Sequence, residues 1–259
     1  MQLIDTHCHI DVTAFNQDRP EVLKRCCELG INTIIVPAIQ RQTWDRLLET
    51  CADYPGLNPA LGLHPMFIQQ HVPTHLENLN TYVEKYQPVA IGEIGLDFYM
   101  TDLDVKQQQY YFEGQIDIAR SHQLPVILHA RKSHDAILKT LKSSHQTSGI
   151  VHAFNGSIQQ AEKYIDMGFK LGFGGMLTYE RSRKLRQLAK QLPLDSIVLE
   201  TDAPDMTVAN HRDERNSPEY LIDCLNALAE IRQQSVNEIA HQTTLNAKSI
   251  FKLVNDSSR

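Results

Sequence analysis

Long apolar runs are missing from this sequence. The longest, such as Thr33-Ile34-Ile35-Val36-Pro37-Ala38-Ile39, are strand-sized, which excludes a membrane-spanning helix with its roughly 20 apolar residues. The opening Met1-Gln2-Leu3-Ile4-Asp5 lacks the basic and hydrophobic regions of a secretory signal, so export is not expected. Cysteine is scarce: Cys8, Cys26, Cys27, Cys51 and Cys224 are odd in number and include no Cys-x-x-Cys pair. That disfavours a disulfide framework and indicates reduced thiols in the cytoplasm. An excess of basic residues is absent too. With a formal net charge of −6, the chain is not built to coat long nucleic acid through a broad basic surface. A local phosphate site stays open, since bound divalent cations would bring positive charge of their own. There is no internal repeat, low-complexity tract or linker, and no Gly-x-Gly-x-x-Gly follows the first apolar run.

What the sequence has is alternation. Hydrophobic residues make up 42% of the 259, enough for a sizeable core, and the length matches the roughly 250 residues of a barrel of alternating strands and helices. Strand-length apolar runs fall at 3–9, 32–36, 58–62, 89–93, 125–129, 149–152, 169–173 and 196–202. Helix signals separate them at 20–29, 43–53, 74–86, 104–122, 133–144, 157–167 and 181–191, and amphipathic helices at 218–232 and 235–255 finish the chain. This pattern predicts a parallel sheet closed as a (β/α)8 TIM barrel, with residues 1–259 forming one domain. An open doubly wound sheet is the alternative, and the missing glycine fingerprint leaves it without support. Cys8, Trp44 and the Tyr110-Tyr111-Phe112 run read as packing.

Chemistry in such barrels sits at the C-terminal ends of the strands. Alternate residues of a strand share a face, so Asp5, His7 and His9 project together. Later strand ends carry Glu93, His129, His152 and Asp202, and His64 lies just past the third strand. Ionisable groups are costly at the ends of buried apolar runs unless paired or ligated, so the series predicts a metal site. The six residues His7, His9, Glu93, His129, His152 and Asp202 are too many for one tetrahedral zinc and suit two divalent ions. Glu93, midway round the barrel, is the expected bridge, with His7, His9 and Asp202 holding one ion and His129 and His152 the other. Two ions about 3.5–4 Å apart activate water, polarise the scissile group and stabilise the leaving oxygen. Asp202 is expected to be both ligand and general base. The mixed nitrogen and oxygen set fits zinc or manganese, and magnesium with less preference.

The runs Ile-Asp-Thr-His-Cys-His at 4–9, Gly-Leu-His-Pro at 62–65 and Gly-Glu-Ile-Gly-Leu-Asp at 92–97 carry a family resemblance. So do His129 with Arg131, Val-His-Ala-Phe-Asn-Gly-Ser at 151–157 and Glu-Thr-Asp-Ala-Pro at 200–204. Over essentially the whole chain they resemble the TatD family of metal-dependent hydrolases, and most of all a bacterial branch of it. The resemblance implies an amidohydrolase-like barrel, a two-metal centre with the same six ligands, and nuclease activity on DNA in several members. It also implies that Glu93 stands where a carbamylated lysine bridges the ions in many relatives of the wider superfamily. The stretch 211–218 keeps Asn216 and Pro218, but Asp213 and Glu214 stand where the family often has Gly-Lys, which counts against carrying over a polynucleotide substrate.

Other residues have two readings each. His64 is expected either to donate to a substrate phosphate or leaving group, or to order its turn. Arg131, on the side of His129, suits bidentate phosphate binding or a salt bridge to a ligand carboxylate. Asp97 reads as a supporting residue, and Asp5 as one that orients the His7 imidazole. Gly172-Phe173-Gly174-Gly175 offers backbone N–H groups to a phosphate, or a tight turn beside crowded ligands. His71, His75, His122, His134, His145, His211 and His241 read as solvated surface. The whole predicts a cytoplasmic two-metal hydrolase of phosphoesters, needing no membrane and no obligate protein partner. Its leading substrate is DNA entered from a terminus. The alternatives are a carboxylic ester or amide hydrolase, for example one acting on aminoacyl-tRNA, and a non-catalytic metal-binding barrel.

Overall fold

A computed structural model describes residues 1–146 and 148–253. Strand and helix alternate as β1 (Leu3–Asp5), α1 (Arg19–Glu28), β2 (Ile31–Pro37), α2 (Trp44–Asp53), β3 (Leu57–Leu61), α3 (Thr74–Tyr86), β4 (Ala90–Asp97) and α4 (Val105–Ser121). They continue as β5 (Val126–Arg131), α5 (His134–Ser144), β6 (Gly149–Val151), α6 (Ile158–Asp166), β7 (Phe169–Phe173), α7 (Arg183–Gln191) and β8 (Ile197–Leu199), then α8 (Leu221–Arg232) and α9 (Val236–Phe251). Every strand pairs in parallel with the next, in the order β1 to β8. Past the strand ends, the two outermost strands are joined by backbone bonds. Thr6 N–H donates to Leu199 O at 3.1 Å, Asp202 N–H to His7 O at 2.8 Å, and His9 N–H to Ala203 O at 2.8 Å. The fold is the (β/α)8 barrel.

Strand alternation decides what fills it. Ile34 and Val36 pack outward with the helices, whereas Ile35 between them joins an inner cluster. That cluster takes Ile4, Ala60, Ala90, Ile127, Ile150 and Val198 from six other strands, and Ala247, Ile250 and Phe251 of α9 close it from below. Each large aliphatic side chain buried there contributes about 1.5–3 kcal/mol. The lower half of the barrel is therefore an apolar floor beneath the histidines and carboxylates of the upper layer. Local signals set several helix starts: Ser157 and Gln160 form a reciprocal capping box on α6, and Asp104 accepts from two backbone N–H groups of α4.

Boundaries differ from the sequence reading where long-range pairing decides them. β1 ends at Asp5, so His7 and His9 lie beyond it. β4 extends to Asp97, which places Glu93 within a strand and not at its end. Tyr110 is exposed, although Tyr111, Phe112 and Trp44 are buried as expected. The expected end of α9, at 254–255, lies outside the described residues.

Candidate metal centre

His7 and His9 leave β1 with their rings meeting edge to face, and their Nε2 atoms are 3.3 Å apart. The His9 tautomer is fixed by its partner. Its Nδ1 lies 3.1 Å from the Pro37 carbonyl, which can only accept, so Nδ1 carries the proton and Nε2 presents a lone pair. His7 Nε2 faces Glu93 Oε2 at 3.1 Å and Asp202 Oδ1 at 3.5 Å. Asp5 does not orient the His7 imidazole as expected. It accepts the backbone N–H of His7 and of Thr201 and the Thr201 hydroxyl, tying the end of β1 to the end of β8.

Glu93 reaches the centre because β4 bulges. Ile91 pairs with Val126 but Ile94 with Leu128, three residues against two, and the carboxylate between them turns into the barrel. Its two oxygens face different partners. Oε2 lies 3.1 Å from His7 Nε2 and 3.7 Å from His9 Nε2, and Oε1 lies 3.0 Å from His129 Nδ1 and 3.7 Å from His152 Nε2. His129 is held from behind by Asp97, 3.1 Å from its Nε2. His152 Nε2 also lies 3.9 Å from Asp202 Oδ2, and its ring stacks on His7 at 3.8 Å. The structure thus brings all six expected ligand residues into one cluster. Three groups within it could hold an ion: His7, Glu93 and His152; His7, His9 and Asp202; His64, Glu93 and His129.

Burial and the opposed charges of imidazoles and carboxylates set the electrostatics of the cluster. Burial would raise Glu93, but the imidazoles of His64, His7 and His152 and a bond from His129 outweigh it and hold the carboxylate well below its usual range. Burial raises Asp202 to about 6, against the pull of His152 and His9. Burial pushes His7 down, whereas His152 is held up at about 10 because Asp202, Glu200 and Glu93 overcome its burial. The lone pairs of His9 Nε2, Glu93 Oε2 and Asp202 Oδ1 converge on one small volume, and that arrangement is satisfied by a positive ion. Nitrogen and carboxylate donors of this kind fit a divalent metal.

A test follows from the protonation. Near pH 7 the metal-free His152 carries a proton that a ligating imidazole cannot keep, so binding a divalent ion should release at least one proton and tighten as pH rises. Calorimetric titration in buffers of different ionisation enthalpy measures the release. A binding enthalpy that does not vary with buffer would contradict it.

Two residues expected to contact substrate have different fates. His64 is buried at 5% exposure, with Met66 N–H donating to its Nδ1 and its Nε2 3.1 Å from Glu93 Oε1. Its proton therefore sits on Nε2 and steadies the Glu93 carboxylate, because the turn after β3 folds the ring inward. Arg131 is exposed, stacks 3.8 Å over Tyr99 and makes no ion pair among the described residues. With His129, His152 and Asp202 it lines a cavity of about 630 Å³ whose rim adds Arg181, Arg183 and Lys184. Of the expected glycine turn, Gly172 lies within β7, and the glycines that follow the strand support the reading of a crowded turn: a Cβ on Gly175 would stand 2.2 Å from the Met206 carbonyl oxygen. His71 and His134, expected at the surface, are buried, the first on the His64 carbonyl and the second between Tyr164 and Asn155. Asp213 and Glu214 are exposed and do not line the cavity. Asn216 is buried, donating to the carbonyls of Thr201 and Asp205. The residue missed was Glu200, an acid directly after the apolar Ile197-Val198-Leu199 run and in step with Asp202.

Comparison with known proteins agrees with the fold and with a metal-dependent hydrolase. The model of the family "TatD related DNase" matches residues 4–252. The chain is 39% identical over 255 residues to the "Uncharacterized metal-dependent hydrolase YjjV" of Escherichia coli (strain K12), covering 97% of this chain and 98% of that one. It is 35% identical over 261 residues to an "Uncharacterized metal-dependent hydrolase" of Haemophilus influenzae, covering 97% and 100%. The crystal structure of YjjV, a TatD homologue, superposes with a TM-score of 0.93 over 97% of this chain and 98% of that one.

Proposed function

Because the chain belongs to the TatD-related family of metal-dependent hydrolases, we propose that it hydrolyses phosphodiester bonds of DNA, entering from a strand terminus. The observation that carries the reading is the position of Glu93, each of whose oxygens faces its own set of imidazole nitrogens, two of them from His129 and His152, which with Asp202 line a cavity rimmed by four cationic side chains. In this reading His7, His9 and Asp202 hold one divalent cation, zinc or manganese before magnesium, and His129 and His152 hold a second, with Glu93 shared. Such ions, when bound, supply Lewis acidity and lower the pKa of water.

The chain's own groups do the rest. Arg131 and Lys184 bind and orient the phosphate from the rim, and the Lys184 ammonium is itself steadied by the Asn155 carbonyl at 3.1 Å. Asp202, reached from the cavity, takes a proton from the attacking water. The water oxygen bonds to phosphorus, the bond from phosphorus to the leaving sugar oxygen breaks, and that oxygen takes up a proton to leave as the alcohol. His64 is not the acid in that step, since its proton is committed to Glu93. The position of the cluster in the barrel mouth favours a chain end over the middle of a duplex. All the ligands come from one chain, so the reading needs no protein partner. The five free thiols and, among the described residues, the lack of any helix long and apolar enough to cross a membrane support action in the cytoplasm.

The test is hydrolysis of an end-labelled single-stranded oligonucleotide by metal-stripped protein to which Zn²⁺, Mn²⁺ or Mg²⁺ is returned. A ladder shortening from one end supports the proposal. Inertness of the metal-loaded protein toward DNA with cleavage of an aminoacyl ester would replace it with the carboxylic ester reading. Arg131→Ala should raise KM for the oligonucleotide about tenfold or more and leave kcat nearly unchanged, as expected for loss of one charge-assisted hydrogen bond of about 1.5–3 kcal/mol. Equal KM values would remove Arg131 from the substrate site.

A further inference from the structure

Behind His152 lies a carboxylate with no place in the ligand set described above. Glu200 follows β8 directly and is 1% exposed. Its Oε1 accepts the Ala153 N–H at 2.6 Å and lies 3.2 Å from His152 Nδ1, close to the imidazole but off the line of a well-formed hydrogen bond. Its Oε2 has no partner among the described residues. The surrounding backbone is shaped to admit it. A Cβ on Gly172 of β7 would stand 2.1 Å from Oε2, and Ala153, whose N–H meets Oε1, takes a left-handed φ of +43°. An acid whose second oxygen bonds to nothing is a poor filler for a dry space, because desolvating that oxygen is left uncompensated. Its neighbour gives it a use. For His152 Nε2 to offer a lone pair toward Glu93 and Asp202, the ring proton must sit on Nδ1, and Glu200 is the acceptor there.

We propose that Glu200 is a positioning residue of the metal centre: it accepts the Nδ1 proton of His152, fixes the tautomer that presents Nε2 to a divalent cation, and so tightens binding of that cation. The inference rests on the metal reading above. It completes a pattern in the ring set. His9 has the Pro37 carbonyl behind it and His129 has Asp97, so with Glu200 three of the four expected imidazole ligands are backed by an acceptor. A carboxylate behind a ligating imidazole also makes the ring a stronger donor, and loss of such partners typically lowers metal affinity about 10–100-fold.

Two variants separate charge from hydrogen bonding. Glu200→Gln keeps an acceptor oxygen and loses the charge; Glu200→Leu loses both. Dissociation constants for Zn²⁺ by chelator competition and for Mn²⁺ by electron paramagnetic resonance should weaken about tenfold in the first and about a hundredfold in the second. The ring ¹⁵N shifts of His152 in the zinc-loaded protein should report a protonated Nδ1 in wild type and Glu200→Gln, and loss of that signature in Glu200→Leu. Should Glu200→Leu fail to fold, the isosteric Glu200→Gln carries the test alone. Wild-type affinity and tautomer in the folded variants would overturn the assignment while leaving the metal centre intact. A wild type that takes up no divalent ion would overturn both.

Discussion

Glu93→Ala protein is expected to turn over substrate about a thousandfold more slowly than wild type. Metal ions stabilise the transition state by several kcal/mol, and each 1.36 kcal/mol is tenfold in rate. The size of the effect follows from position. Glu93 comes within 3.1 Å of His7 on one side and 3.0 Å of His129 on the other, whereas Asp202 stays 3.5 Å or more from the ring nitrogens. Without Glu93 only the more distant Asp202 faces both halves, and ion content should fall from two per chain to one at most. The barrel should survive, because its apolar floor lies below the substituted layer. Metal analysis, circular dichroism and turnover on one preparation check all three points. A folded variant that keeps both ions and the wild-type rate would end the bridging assignment.

Stripping the metal should have the second largest effect. A ligand present at a thousand times its Kd stabilises the folded state by about 4.1 kcal/mol, and for a chain of this size about 2–4 °C of Tm accompanies each kcal/mol. Chelation should therefore lower Tm by about 10 °C and abolish turnover, both restored by the returned ion. The loss should also depend on pH. His152 holds its proton up to about 10 in the metal-free protein against an ordinary value of 6.5. A base whose pKa is raised on folding stabilises the fold fully below 6.5, and that contribution fades as pH climbs through about 10. Asp5, raised by burial to about 8, adds in the same direction, since folding then favours its protonated form and ionisation costs stability as pH rises from 3.8 to about 8. Stripped protein should thus lose Tm steadily from neutral to alkaline pH, with loaded protein changing less. Parallel curves would contradict the assigned protonation.

Much of this was legible in the sequence because it depends on period and on position along a strand. The eight apolar runs fall in strand order, and the six expected ligands are ionisable residues at or near the ends of such runs, where burial forces them to find partners. What escaped depends on register and on contacts between distant segments. The bulge that turns Glu93 inward arises from pairing with β5 and leaves no mark on the run Val-Ala-Ile-Gly-Glu. The inward fold of His64 comes from a turn whose Met66 N–H caps the ring. Asp5 serves a backbone almost two hundred residues away, and Glu200 was hidden by the more obvious Asp202. His71 and His134 look like surface residues until helices of the outer layer cover them.

The seam between β1 and β8 has a consequence for how the molecule comes into being. On the ribosome His7 and His9 are made almost two hundred residues before Asp202, which faces them across the seam. Contacts so remote in sequence form late. In the proposed metal centre an ion held by His7, His9 and Asp202 would act as a buckle on a hoop, fastening the first-made end of the barrel to the last. A truncated product lacking β8 would have no such clasp and is expected to be inert, with reactivity withheld until the ring is whole.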